Sequence, residues 1–256
     1  MKARTVGLAA AVALAMIVAA CAKKAEQPAE QTAPAAAATV NPATAGTITG
    51  VVKLDGASPK MAIIKMGADP NCEKAHKEPV HSQQVVTGPG GTLENVVVYI
   101  KSGLGNYSFP APGEPAKLDQ VGCMYVPHVL CMMAGQQLQV INSDPVTHNI
   151  HPLPKDNQEW NESQPPGSPA IMKVFARPED AIQVKCNVHP WMKAYIFTFP
   201  NPYFSTSGSD GAFTIKNVPP GAYTIEAWQE QYGTMDQQVT VAASQSQTVN
   251  FTFKAQ

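Results

Sequence analysis

From Gly46 onward the chain is a succession of short runs rich in β-branched and aromatic residues, each cut off by glycine, proline or a polar turn, and this punctuation limits the fold more than any other feature. With 18 glycines and 23 prolines among 256 residues, the runs end too soon for helices but suit strands. GTITGVVK from Gly46 to Lys53 and NVVVYIK from Asn95 to Lys101 read as strands, as do Val129 to Met133, Gln137 to Asn142, His148 to His151, Met172 to Phe175, Ile182 to Lys185 and Ala194 to Phe199. The spacing of those from Val129 onward is that of a Greek-key sandwich or barrel. We therefore expect an all-β protein, long enough for one large or two modest domains. The polar segment holding Asp69-Pro70-Asn71-Cys72, His76 and His81 shows no period and receives no assignment.

The beginning of the chain follows other rules. Lys2 and Arg4 precede an uncharged, Ala-rich apolar run from Val6 to Ala20, the layout of an export signal. The run ends Val18-Ala19-Ala20-Cys21, which resembles the bacterial lipobox. That resemblance implies a signal peptide over 1–20 and a lipid anchor on Cys21; an ordinary signal cut nearby is the plainer alternative. Ala22, where inner-membrane lipoproteins carry aspartate, is similar to outer-membrane sorting, so the chain is expected to face the periplasm or cell surface. No later stretch reaches the ~20 apolar residues a spanning helix needs. Residues 21–45 offer little to bury and several prolines, and read as a flexible tether. The formal net charge of −1 provides no basic field for nucleic acid.

The tail, 203–256, alternates strictly between tight turns. Its Asp210–Ile225 run, D-G-x-F-x-I-x-x-V-P-P-G-x-Y-T-I, resembles the carboxypeptidase regulatory-like family. The resemblance implies a small transthyretin-like β-sandwich. The early strands within 46–112 look like the opening strands of the same family, so the block at 113–202 is expected to be an insertion between two halves of one sandwich.

That block holds the chemistry. Cys186-Asn187-Val188-His189-Pro190-Trp191-Met192 places a thiolate, an imidazole and a thioether in one turn between two strands, and His148 follows the Asn142-Ser143-Asp144 run upstream. Two imidazoles, a thiolate and a weak methionine are the ligands of a blue-copper centre; the soft sulfurs suit Cu(I) and the imidazoles Cu(II). The C-x-x-H-P-aromatic-M order resembles the ligand loop of amicyanin, and His148-Asn149 resembles the first-histidine motif of plastocyanins. The cupredoxin resemblance implies one type 1 copper ion held by His148, Cys186, His189 and Met192. It also implies a backbone N–H from Asn149 to the sulfur, with Val188 as a second donor where amicyanins have proline.

Plainer readings stand beside this one. Cys186 alone reads as a buried apolar residue or half of a disulfide, and Met192 alone as core packing. A zinc site from Cys186, His189, His148 and His151 is chemically possible, but structural zinc prefers more cysteine. Residues three apart on a strand face opposite ways, so only one of His148 and His151 is expected to point at Cys186. Cys72, Cys123 and Cys131 leave one disulfide and one free thiol; Cys72 with Cys123 is the favoured pair, and the sequence does not fix it. His76, His128 and a cysteine are a lesser candidate for a second metal site.

No nucleophile elbow, phosphate loop or metalloprotease helix is present, so an enzyme is not expected. The expected activity is single-electron transfer between periplasmic redox proteins that dock at an exposed His189 edge flanked by Pro190 and Trp191. The alternative is a non-redox module that stores copper or binds the cell envelope.

Overall fold

Alternation along Gly46–Asp55 buries Gly46, Ile48, Gly50, Val52 and Leu54 on one face, as a period of two requires. In the computed structural model, which describes Met1 and residues 38–255, this strand pairs antiparallel with Ala212–Val218 and parallel with Ser246–Thr248 and Phe251–Lys254. The export signal, Cys21 and the tether as far as residue 37 lie outside the described residues. A second sheet runs in the order Phe204–Thr206, Val97–Ser102, Gly221–Gln229, Gly233–Val241, antiparallel throughout. Ile48, Val52, Ile100, Phe213, Ile225 and Phe251 share one apolar core, so strands from both ends of the described chain build a single sandwich.

The residues between build another. One of its sheets runs Glu162–Gln164, His148–Leu153, Glu179–Lys185, Lys193–Phe199, Val129–Met133; the other runs Ile171–Val174, Gln137–Asn142, Ala116–Val121, Met124–Val126. Leu118, Tyr125, Leu138, Ile150, Phe175 and Ile196 fill the core. Three of these strands, Ala116–Val121, Met124–Val126 and Glu162–Gln164, are absent from the sequence reading. The cause is visible in Gln120 and Gln164, polar residues in core positions that satisfy each other through Gln120 Nε2 and Gln164 Oε1 at 2.7 Å. Their polarity masks the apolar alternation.

The early segment behaves differently from a run of sandwich strands. Met66 and Cys72 join the core of the second sandwich, not the first. A short helix, Pro70–Lys74, forms because Pro70 suits its first turn and Asp69 caps it, Oδ1 accepting from the Asn71 N–H at 2.9 Å. Cys72 is bonded to Cys123, the favoured pair, while Cys131 is free and partly buried. Val97 and Tyr99 of the first sandwich pack on Val129, Phe197 and Phe199 of the second.

Candidate metal centre

Two carboxylates orient two imidazoles. Asn142 ties off the turn before His148, its Nδ2 donating to Val146 and Gln164 carbonyls at 2.9 and 2.7 Å and its Oδ1 accepting from Asp144 N at 3.0 Å. Asp144 is thereby aimed back into the protein, where its carboxylate accepts from the N–H groups of Gly122 and Cys123 at 2.7 Å each and from His148 Nε2 at 2.8 Å. On the other side, the capping residue Asp69 accepts from His189 Nε2 through Oδ2 at 3.3 Å. Because a carboxylate only accepts, each imidazole donates from Nε2 and turns Nδ1 inward.

The loop after Cys186 folds around its sulfur. Cys186 N donates to Met192 O at 3.3 Å and Met192 N to His189 O at 2.9 Å, closing the turn. His189 N then points at Cys186 Sγ at 3.4 Å, and Asn149 N at 3.5 Å. Asn149 also pins the loop from its side chain, Oδ1 accepting from Asn187 N. Tyr125 holds the strand in place, its hydroxyl donating to Asn149 O at 2.6 Å.

The outcome is a convergence of donor atoms. His148 Nδ1 and His189 Nδ1 lie 2.9 Å apart, Cys186 Sγ lies 3.9 Å from His189 Nδ1, and the three ligand atoms fall within 4.8 Å of one another. All are sealed in: His148 is 0% exposed, Cys186 and His189 3%, and Met192 0%. Lone pairs and a thiolate crowded into a dry site demand a positive charge. The electrostatics of the cluster agree. Burial lifts the Cys186 thiol, but the hydrogen bond with His148 and the backbone N–H groups of Asn149, His189 and Val188 outweigh it and hold the group below its usual value. Burial likewise opposes charge on His148, yet Asp144 and Cys186 push it up to about 9. Asp144 is lowered: burial is overcome by His148 and the Cys123 and Gly122 N–H groups. A thiolate, two oriented imidazoles and a buried thioether fit a copper ion as a donor set.

The residues singled out by sequence fall as follows. His148, Cys186 and His189 come together, Met192 is buried at the end of the same loop, and Asn149 donates to the sulfur. His151 turns away to Glu159 at 2.6 Å and to Asn187, so it does not complete a zinc set. His76 bonds Gly122 O, and His128 bonds Glu230; neither joins any metal-ligating group found among the described residues. The expected open edge of His189 is corrected: the Asp69 turn and Cys72, whose Sγ lies 3.7 Å from His189 Nε2, cover it. Trp191 is half-buried, its indole N–H donating to Cys123 O at 3.1 Å, whereas Pro190 and Val188 stay exposed. Asp69 and Asp144 were not foreseen. Asp144 stands four residues before His148, a spacing from which it was legible; Asp69 is remote in sequence and carried no signal toward this site.

The tail carries a carboxypeptidase regulatory-like domain, matched by that family's model over residues 200–254. Three solved structures similar to the chain are as follows. A copper-containing nitrite reductase from Thermus scotoductus SA-01 is 19% identical, with 34% of this chain and 23% of that one covered and a TM-score of 0.32. A purple cupredoxin from Nitrosopumilus maritimus is 21% identical over 32% of this chain and 98% of its own, with a TM-score of 0.28. A reduced amicyanin variant is 17% identical over 40% and 97%, with a TM-score of 0.29. This chain thus spans about a quarter of the reductase. No curated protein matches it.

Proposed function

We propose that the protein is a lipid-anchored type 1 copper protein that passes single electrons between periplasmic redox proteins. His148, Cys186, His189 and Met192 are the ligands in this reading. The observation that supports it is the inward convergence of His148 Nδ1, His189 Nδ1 and Cys186 Sγ in a site closed to water. Bound there, copper supplies a one-electron couple. The chain's own part is to hold ligands that neither oxidation state can rearrange: Asp144 and Asp69 fix the rings, and the N–H groups of Asn149 and His189 fix the sulfur. With Met192 as the fourth ligand, the ion would have no position left for a substrate, so the centre is read as a carrier and not as an enzyme. Cys21 anchors it, and residues 21–45 give it reach.

The cover over His189 favours a second reading, copper storage, because a carrier benefits from a ligand edge near its surface. Loading the purified full chain with Cu(II) and then adding ascorbate separates the readings. An intense thiolate-to-copper band that depends on Cys186, bleaches and returns on reoxidation supports the carrier. A colourless complex, or copper that does not cycle, removes it.

A further inference from the structure

His189 is held at both ring nitrogens, and the group on its outer side belongs to a piece of chain from another part of the sequence. Asp69 lies 120 residues before His189, on a turn that the Cys72–Cys123 disulfide staples to the second sandwich. Cys72 is bonded to Cys123; His76 Nε2 donates to Gly122 O at 2.6 Å; Met66 and Cys72 enter the core. Asp69 itself is divided between two tasks, Oδ1 capping Pro70–Lys74 through Asn71 N and Oδ2 accepting from His189. Capping fixes the carboxylate relative to the helix, and the disulfide fixes the helix relative to His189.

Resting on the copper reading, we propose that Asp69 is a positioning residue for the metal centre. It fixes His189 in the tautomer that leaves Nδ1 free for the metal and closes the Nε2 edge, and the Cys72–Cys123 disulfide is the device that holds it there. The counterpart is Asp144 on His148. The two differ in one respect: Asp144 is held by backbone N–H groups of its own sandwich, whereas Asp69 sits on a turn tied to that sandwich by a reducible bond as well as by noncovalent contacts. Two thiols in place of the disulfide, formed when a dithiol reductant gives two electrons and two protons to the Cys72–Cys123 sulfurs and closes to a disulfide itself, would loosen the turn and let Asp69 swing off His189.

The test uses the full chain. In the metal-free protein labelled with ¹⁵N, the imidazole nitrogens of His189 report the proton on Nε2 directly; Asp69→Asn is expected to abolish that preference. In titrations with copper, Asp69→Asn is expected to weaken binding by about tenfold, the lower end of what loss of such an outer partner costs. The double variant Cys72→Ser/Cys123→Ser is expected to match Asp69→Asn in both measurements, and adding Asp69→Asn to it is expected to cost nothing more. Asp69→Asn keeps the staple, so it decides the matter even where the double variant does not fold. Wild-type affinity and an unchanged His189 tautomer in Asp69→Asn would overturn the proposal, as would losses that add. A wild-type chain without a thiolate-copper band would instead end the copper reading, and the tautomer measurement would still judge Asp69.

Discussion

Glu230 grips Lys193 at 2.7 Å, joining the turn of one sandwich to the residue that follows Met192 in the other. The same carboxylate accepts from His128 Nε2 at 2.7 Å and from the Tyr195 hydroxyl at 3.3 Å. Burial opposes its charge, but His128 and Lys193 outweigh burial and keep the carboxyl below its usual value. Glu230 and His128 are 5% and 6% exposed, so removing the acid strands a buried partner. Glu230→Ala is expected to lose about 3 kcal/mol of stability in urea unfolding. A loss under about 1 kcal/mol would show the two sandwiches to be independent of this contact.

Glu179 is one of the carboxyls through which acid acts on the fold. Its carboxylate accepts from the N–H groups of Lys155, Asp156 and Asn157 and from Asn157 Nδ2. Burial raises its pKa, but these four donors win and place it below 4.5. A group lowered on folding stabilises the protein above its unfolded pKa, and that contribution fades as the pH falls through the folded value. Glu179→Gln is therefore expected to melt lower at pH 7 and to lose less than the wild type between pH 5 and pH 3. Neighbouring Asp180 is raised by burial and has the opposite slope, so the difference between variants, and not the wild-type curve alone, isolates Glu179.

Val188 bears on the reduction potential. Its backbone helps stabilise the Cys186 thiolate, and each hydrogen bond to the sulfur weakens its donation to copper. Val188→Pro removes the N–H, so voltammetry of the copper protein is expected to show a lower potential. An unchanged or higher value would mean that Val188 does not act on the sulfur.

Gly50 has no room for a side chain. A Cβ there would stand 1.7 Å from Val249 O and 2.7 Å from the Phe213 ring, and backbone cannot step aside as a flexible side chain can. Gly50→Ala is expected to cost about 2–3 kcal/mol by thermal unfolding. The His148, Cys186 and His189 cluster lies in the other core, so any thiolate-copper band of the loaded chain is expected to survive at temperatures where the variant is folded.

Strands with clean apolar patterns were legible: Val129–Met133 and Gln137–Asn142 were read with the ends the structure gives them. So was the order of Cys186, His189 and Met192, because a loop between adjacent strands keeps its ligands local. Strands built on Gln120 and Gln164 were not legible, since their burial rests on a partner far along the chain. The cover on His189 was hidden for the same reason. Asp69 reads as an ordinary helix cap, and nothing in its neighbourhood says which imidazole its second oxygen will meet.

The split sandwich has a consequence for synthesis. Gly46–Asp55 comes early in the chain, yet its sheet partners Ala212–Val218, Ser246–Thr248 and Phe251–Lys254 come about 160 residues and more later. Val97–Ser102 likewise waits for Phe204–Thr206, across roughly 100 residues whose closure as an open loop carries a real entropic cost. The inserted sandwich can fold in the interval and bring those ends side by side, turning a long closure into a short one. Until then Ile48 and Val52 sit on an unpaired strand, and the nascent chain is most exposed to sticking to a neighbour just before its final strands emerge.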